Sequence, residues 1–295
     1  MSTFLLVDGH AYAYRAFFAI RNMTGPDLSP TNAIYGFISM LDRMRDQLKP
    51  AFLAVIWDGG LDAGRTEQLP AYKAQRPSMP DDLSRQIDSI REYLRAAGIT
   101  EVMHSGVEAD DIIASLAAGA VVEGESVVIA SPDKDFYQIV SDQVRILNAG
   151  DKTGGLWGAA EVEAKTGVKP AQIVDWLSLV GDSVDNIEGV VGVGPKTAAR
   201  LLHEYGFLDD IYRALEQVKP EKLREALRVA EPIVRRNQSI VRLKSDIVSR
   251  KAAAEFVVRD GDATRLGELF RKWGFRSQLA ALERQQRKQV ELFPE

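Results

Sequence analysis

Between Ser105 and Ile113 the chain reads Ser-Gly-Val-Glu-Ala-Asp-Asp-Ile-Ile, which gathers Glu108, Asp110 and Asp111 within four residues. Acids in a first helical turn ordinarily cap exposed backbone N–H groups and complement the helix dipole. Three in four residues exceed what a cap uses. On a helix Glu108 and Asp111 share a face while Asp110 points about 100° away, so the carboxylates fan around a space that suits a hard divalent cation. The same signature recurs along the chain. Asp8 precedes Gly9, Asp58 precedes Gly59-Gly60, Asp133 and Asp135 flank Lys134, and Asp182 and Asp185 lie in Gly181-Asp182-Ser183-Val184-Asp185-Asn186. Taken alone, Asp8 also reads as a plain turn residue. Nine carboxylates in one pocket would raise each other's pKa, a conflict that two divalent metals resolve. With no cysteine and three histidines, the donors are oxygens, which points to Mg²⁺ or Mn²⁺. Two such ions about 4 Å apart serve in-line displacement at phosphorus.

The acids need strand ends to hold them. Thr3 to Val7 is an apolar run of strand length ending on Asp8, and Ala51 to Trp57 is a second, continuous enough to be buried on both faces, ending on Asp58. Ile99 to Met103 leads to the central acids and the helical run Ile112 to Val122. Ser126 to Ala130 leads to Asp133 and Asp135, which face the same way if that segment is extended, and Val144 to Leu147 is one more strand. Helices intervene: one carrying Tyr12, Arg15 and Phe18, and Thr31 to Leu48 with Thr31 as N-cap. Arg15, two turns in, either reaches a phosphate near Asp8 or is a surface charge. Alternating strands and helices with acids at the carboxyl ends of strands predict an α/β core with its site there.

Two stretches depart from that pattern. Leu61 to Asp82 is polar, carries Pro70, Pro77 and Pro80, and clusters Arg65, Tyr72, Lys73 and Arg76. It is either a solvated excursion or a nucleic-acid contact, since an aromatic flanked by cations stacks a base while pairing phosphates. Asp81 and Asp82 read as capping acids for a helix from Leu83 to Ala97. Further on, Gly189-Val-Val-Gly192-Val193-Gly194-Pro195-Lys196-Thr197 lacks the adjacent Gly-Lys of a P-loop and the preceding strand of a dinucleotide fingerprint. It predicts a glycine hairpin leading into a helix from Lys196 to Tyr205, ended by Gly206. Such a hairpin aims backbone N–H groups at a DNA phosphate, or joins two helices structurally. Pro220 to Asn237 and Ala263 to Gln289 are helical and basic, so the C-terminal half is mostly α.

Hydrophobic residues at 45% and charged ones at 27% describe a globular protein with a sizeable core. The absence of cysteine rules out disulfides and thiolate metal sites and suits a reducing, cytoplasmic setting. The N-terminus has no basic n-region and no apolar run reaches about 20 residues, so no membrane association is expected. The net charge of -5 argues against nucleic acid until the nine acids are set aside, which leaves 33 acids against 37 Lys and Arg. An acidic pit in a mildly basic body suits a phosphodiester substrate.

Five stretches together resemble the 5′ nuclease domain of bacterial DNA polymerase I and the phage and eukaryotic flap endonucleases: Leu6-Val7-Asp8-Gly9, Tyr72-Lys73-Ala74-Gln75-Arg76-Pro77 with Met79-Pro80-Asp81-Asp82, Gly106-Val107-Glu108-Ala109-Asp110-Asp111, Asp133-Lys134-Asp135, and Gly181 to Asn186 running on to Gly194. The likeness extends to Leu269-Phe270-Arg271-Lys272-Trp273-Gly274-Phe275. Trp57 and Ser131-Pro132 stand where relatives commonly show Phe and Thr-Gly. No polymerase segment follows, so the resemblance implies a nuclease encoded alone or an excised domain. It implies a Rossmann-like (PIN-like), mainly parallel sheet core over residues 1–150, with a helical arch at about 61–83. A helical DNA-binding region would span 151–288, with a helix-hairpin-helix (helix-three-turn-helix) whose glycine hairpin is 189–195. The chain transition is expected between Asn148 and Leu156.

The resemblance also implies roles. Asp8, Asp58, Glu108 and Asp110 would serve one Mg²⁺ or Mn²⁺ ion, and Asp110, Asp133, Asp135 and Asp185 a second, with Asp111 and Asp182 in support. Arg15, Lys73 and Arg76 would hold and polarise the scissile phosphate, and Tyr72 would stand near the frayed end. Gly192, Val193, Gly194, Lys196 and Thr197 would grip duplex DNA, with K⁺ on the hairpin carbonyls. The activity implied is 5′-3′ exonuclease and flap endonuclease action on branched DNA and RNA-DNA primers, by a monomer associated with the nucleoid. A 5′ nuclease acting mainly on RNA, or a non-catalytic branched-DNA adaptor, are the alternatives. Within the tail 289–295, Gln289, Leu292 and Phe293 resemble the Gln-x-x-Leu-Phe peptide that docks on bacterial sliding clamps; a frayed amphipathic tail is the plain alternative.

Overall fold

The structure, a computed structural model, describes residues 2–148, 155–248 and 255–292, with side chains through residue 287. The chain folds as two compact units, one built from Met1–Trp57, Ser78–Met103 and Lys251–Glu295, the other from Asp58–Pro77 and His104–Arg250. The expected transition between Asn148 and Leu156 falls largely on 149–154, outside the described residues.

In the first unit, β1 (Thr3–Asp8) pairs in parallel with β2 (Phe52–Ile56), Phe4 opposite Phe52 and Asp8 opposite Ile56. The outer partner of β2 is β3 (Thr100–Val102), also parallel. Phe4 to Val7 and Leu53 to Ile56 are almost wholly buried, which is why both runs are continuously apolar instead of alternating. Helices α1 (Gly9–Ala19), α2 (Asn32–Leu48) and α4 (Asp81–Ala96) belong to the same unit. Gly36 of α2 lies against Ala16 of α1, where an added Cβ would meet the Ala16 Cβ at 2.8 Å. Thr31 holds the N-cap position of α2 but makes no capping bond. The buried Gln86 of α4 takes over that task, its Oε1 accepting from Ala33 N at 2.7 Å while its Nε2 donates to Asn32 Oδ1. Asp81 and Asp82 sit in the first turn of α4, as expected of dipole-complementing acids. The unit closes with α11 (Ala263–Trp273) and α12 (Arg276–Leu292), joined at Gly274 in the left-handed conformation (φ 74°).

The second unit opens with α3 (Ala63–Gln68) and α5 (Ala109–Val122). Strand β4 (Ser126–Ala130) runs parallel to β5 (Val144–Leu147), and β5 pairs antiparallel with β6 (Leu156–Trp157). Beyond them the unit is helical: α6 (Ala159–Thr166), α7 (Ile173–Val180), α8 (Pro195–Tyr205), α9 (Leu208–Arg213) and α10 (Glu221–Val241). Between α7 and α8 lies a small hairpin of β7 (Gly181–Asp182) and β8 (Ile187–Glu188). The fully buried Asn237 of α10 ties it down, donating to Ser178 O and Glu188 O at 3.1 and 2.7 Å. The three long-strand pairings are thus parallel, and the C-terminal half is helical, as the sequence patterns require.

Candidate active site

Eight of the nine acids belong to the second unit; Asp8 and Arg15 belong to the first. Asp8 ends β1 and caps α1, its Oδ1 accepting from Ala11 N at 3.0 Å, and Arg15 is exposed on α1. In the second unit Asp58 bends the chain after β2, its Oδ1 accepting from Gly60 N at 3.3 Å. Glu108 is the N-cap residue of α5 without making a capping bond, and Asp110 and Asp111 fill the first turn.

The shared face of Glu108 and Asp111 holds the guanidinium of Arg65. Its Nη1 donates to Glu108 Oε2 at 3.0 Å and to Asp111 Oδ2 at 2.8 Å, and Nη2 donates to Asp111 Oδ1 at 2.8 Å. Asp111, wholly buried, also accepts from Lys244 N at 2.9 Å. It is therefore a charge partner inside the protein, with both oxygens taken by this network.

The stretch from Leu61 to Asp82 is not the solvated excursion that its composition allows. Its turn, residues 71–76, is docked on the β7–β8 hairpin: Lys73 N donates to Asp185 O at 3.0 Å, Gln75 Nε2 to Ser183 O at 2.7 Å, and Asn186 Nδ2 to Ala71 O at 2.8 Å. Lys73 and Asn186 both adopt positive φ, 55° and 59°, routine for Asn but uncommon for Lys, whose backbone is held there by the surrounding contacts. Tyr72 is 4% exposed, its hydroxyl donating to Glu108 Oε2 at 3.1 Å and its ring lying under the Lys73 ammonium. A ring so placed is no stacking platform for a base, which corrects the role expected of it.

Lys73 Nζ reaches Glu108 Oε2 at 2.8 Å and Asp185 Oδ2 at 3.9 Å. Burial works against its charge, but Glu108, Asp185 and Asp110 outweigh burial and hold the ammonium above its ordinary range. Burial would likewise raise the Glu108 carboxyl; Lys73 and Arg65, with the Asp62 N–H, keep it below the usual value instead. Arg76, half exposed, pairs with Asp185 Oδ1 at 2.5 Å, and Lys134 with Asp182 Oδ2 at 3.2 Å.

Asp133 and Asp135 do not lie on an extended segment. Asp133 caps a short 3-10 helix, Lys134–Ile139, and its Oδ1 accepts from Asp135 N at 2.9 Å. Burial first, then Asp133, Asp185 and Asp182, push the Asp135 carboxyl well up, with Lys134 opposing. Asp135 Oδ1 is buried and has no hydrogen-bond partner among the described residues. That acceptor, with the Asp133, Asp182 and Asp185 carboxylates acting on it, fits a hard divalent cation. Among the described residues, however, no three acids or histidines converge as a closed metal cluster. Glu108, Asp111, Asp182 and Asp185 instead pair with nearby cations. Arg65, Lys134 and Lys244 are the participants that sequence reasoning passed over; Arg65 was visible only as one of a basic cluster.

The glycine hairpin forms as expected. Val190 N donates to Leu179 O, Val193 N to Val190 O, Gly192 has φ 79°, and Gly194 N-caps α8 with Pro195 at its first position. Gly192, Gly194 and Lys196 are exposed, Thr197 is half-buried and Val193 is buried. Of the tail residues, Gln289 and Leu292 fall in the last turns of α12, and Phe293 lies outside the described residues.

The family model for the N-terminal, resolvase-like domain of 5′-3′ exonucleases matches residues 3–167, and that for their C-terminal SAM fold matches 168–264. The chain belongs to the 5′-3′ exonuclease family. A 5′-3′ exonuclease from Aquifex aeolicus is 35% identical over 284 residues, covering 96% of this chain and 96% of that protein. The thermostable DNA polymerase I of Thermus thermophilus is 40% identical over 245 residues, 82% of this chain but 29% of the polymerase. Two solved structures share the fold. One is bacteriophage T5 D15 flap endonuclease in a pseudo-enzyme-product complex with DNA and metal ions (TM-score 0.69, 22% identity, covering 91% of this chain and 98% of that one). The other is the catalytic core of Rad2 with DNA substrate (TM-score 0.67, 17% identity, covering 95% of this chain and 90% of that one). At these identities the likeness is one of fold. Family membership makes the protein a nuclease.

Proposed function

We propose that this family member is a structure-specific 5′ nuclease that hydrolyses DNA phosphodiesters at 5′ ends and flaps, with two divalent cations, Mg²⁺ or Mn²⁺. The observation that carries the metal reading is Asp135, a buried carboxylate oxygen without a partner beside three other acids. Asp8, Asp58, Glu108 and Asp110 would hold one ion and Asp110, Asp133, Asp135 and Asp185 the other, with Asp111 and Asp182 in support. Bound divalent cations supply Lewis acidity and an activated water for in-line displacement. Lys73, buried and kept protonated by the acids around it, acts as a fixed positive charge rather than a base. Arg76, with its side chain 43% exposed, can exchange Asp185 for a phosphate at little cost in desolvation. Arg15, exposed on α1, would contact a phosphate, as the resemblance implies.

The hairpin Gly192-Val193-Gly194 and the start of α8, with Lys196 and Thr197, would grip the duplex through its phosphates, and hairpin carbonyls would take K⁺. Glycines there leave the backbone open to close approach, since a Cβ at Gly192 or Gly194 would meet nothing within 4 Å. The helical half from about residue 151 would thus bind duplex while the α/β half cuts. The proposal extends to removal of flaps and RNA-DNA primers by a monomer at the nucleoid. The tail at Gln289, Leu292 and Phe293 would dock on a sliding clamp.

Cleavage of a 5′-labelled double-flap DNA in Mg²⁺, wild type against Asp110→Asn, tests the central reading. Cutting near the junction that the variant loses supports it; intact DNA bound tightly by both proteins makes the chain a binding module instead. Matched RNA flaps in the same assay set the DNA preference, and deleting 289–295 must weaken clamp binding if the tail reading holds.

A further inference from the structure

In the second unit Arg65 is a buried cation whose side-chain donors are all engaged. It is 3% exposed, and a guanidinium has five N–H donors. Nε donates to Ile240 O at 2.9 Å; Nη1 to Glu108 Oε2 and Asp111 Oδ2; Nη2 to Asp111 Oδ1 and, at 3.1 Å, to Arg242 O. All five are used, so none is left for a phosphate. Ile240 and Arg242 stand at the end of α10, where helix carbonyls lack partners and a cation is favoured. Two straps hold the arrangement: Asp62 Oδ1 accepts from Arg65 N at 2.9 Å, and Asp62 Oδ2 accepts from Lys244 Nζ at 2.5 Å.

We infer that Arg65 is a positioning residue for Glu108, fixing that acid's orientation toward the metal ions and tying it to the end of α10; this rests on the two-metal reading above. The planar fork is what the site needs. It meets Asp111 with two nitrogens while the same nitrogens turn to Glu108 and to a carbonyl, and a lysine ammonium cannot span those four oxygens from one point. The base of the cation-bearing stretch, the first turn of α5 and the end of α10 therefore share one buried charge. Metal-ligand placement in this protein depends on that bracket.

The test is Mn²⁺ titration of full-length protein, followed by the electron paramagnetic resonance of free Mn²⁺, beside kcat and KM on double-flap DNA and a melt in EDTA. Arg65→Lys keeps the charge but not the fork. It should lower Mn²⁺ affinity and kcat by roughly 10–100-fold each while KM stays within about twofold. Asp111→Asn keeps the shape but sets an amide N–H₂ against an Arg65 N–H, so it should melt lower and, by loosening the fork, lower Mn²⁺ affinity in the same direction. Lys244→Met removes one strap, leaves all five donors engaged, and should lower the melt without moving Mn²⁺ affinity. If Arg65→Lys and Asp111→Asn melt lower yet bind Mn²⁺ as the wild type does, the bracket is purely structural and the inference is wrong. Asp135→Asn separates the two ideas. If it leaves Mn²⁺ binding intact, or the wild type binds none, the two-metal reading fails and takes this inference with it; if it abolishes binding that the Arg65 variant keeps, only the positioning role fails.

Discussion

Replacing Asp135 with Asn should stabilise the protein in EDTA and leave it less stable than the wild type in Mg²⁺. The buried Oδ1 of Asp135 accepts no hydrogen bond from the described residues, and Asp133, Asp185 and Asp182 all act against its charge, with Lys134 opposing. Leaving such an acceptor unmade costs about 1–3 kcal/mol, and relieving repulsion at a functional site commonly returns about 0.5–2 kcal/mol. Asn has the same shape without the charge, so a gain of about 1–2 kcal/mol is expected, or roughly 2–6 °C in melting temperature for a chain of this size. Added Mg²⁺ reverses the order, because binding to the folded state stabilises by about 2.7 kcal/mol at a hundredfold excess over Kd and the variant forfeits that. The pH dependence has a definite sign. A carboxyl whose folded pKa is raised is penalised only once ionised, so the wild type in EDTA loses stability as pH climbs from the ordinary carboxylate range through the raised value. The Asn variant loses less over the same window. Thermal melts at several pH values, with EDTA and with Mg²⁺, read all three effects. A variant that melts no higher than wild type in EDTA at pH 7, with no convergence at acid pH, would refute the claim that these acids are held in unrelieved repulsion.

Three further outcomes follow from single contacts. Lys73→Gln removes the ammonium from Glu108 but leaves Arg65 there, so flap cleavage should fall by roughly 10²–10³ in kcat while flap binding in Ca²⁺ changes little. Gly189→Ala puts a Cβ 2.2 Å from the Val180 carbonyl oxygen, which forces the β7–β8 hairpin away from α7. It should cost about 1–3 kcal/mol in urea melts and weaken duplex binding measured by anisotropy. Trp57→Phe removes a buried indole N–H that has no partner among the described residues, offsetting the lost ring area, so stability in urea should move by less than about 1.5 kcal/mol.

The strands at Ser126–Ala130 and Val144–Leu147 and the helix entered through Pro195 were legible because their signals are local: apolar β-branched runs, a glycine turn, a proline at a first helical position. Acids at strand ends were legible for the same reason. Side-chain partners were not. Arg65 binds Glu108 and Asp111, 43 and 46 residues away, and carbonyls 175 and 177 residues away, and no periodicity encodes such pairings. Tyr72 misled because an aromatic among cations in a proline-broken stretch reads as exposed, whereas Glu108 and the β7–β8 hairpin supply the groups that bury it. The 3-10 turn after β4 was missed because Asp133 caps it, and an acid at a strand end carries the same signature whether the chain continues extended or turns.

The carboxylates of the second unit divide by what neutralises them, and the division bears on function more than their number does. Asp111 is closed, its oxygens spent on Arg65 and Lys244 N, both inside the fold. Asp182 and Asp185 lean on Lys134 and Arg76, side chains 38% and 43% exposed that can turn to solvent or to a phosphate with little loss. Asp133 and Asp135 stay pushed up by burial and by neighbouring acids, with Lys73 and Lys134 opposing only in part. Glu108 is engaged as fully as Asp111, its Oε2 accepting from Arg65, Lys73 and Tyr72 and its Oε1 from Asp62 N. An acid cluster serving only to hold the fold would be paired throughout as Asp111 is, since an unmade buried acceptor destabilises without return. The gradient from closed to unrelieved runs from Asp111 and Glu108 through Asp182 and Asp185 to Asp135, and its unrelieved end is where divalent cations would stabilise the protein most.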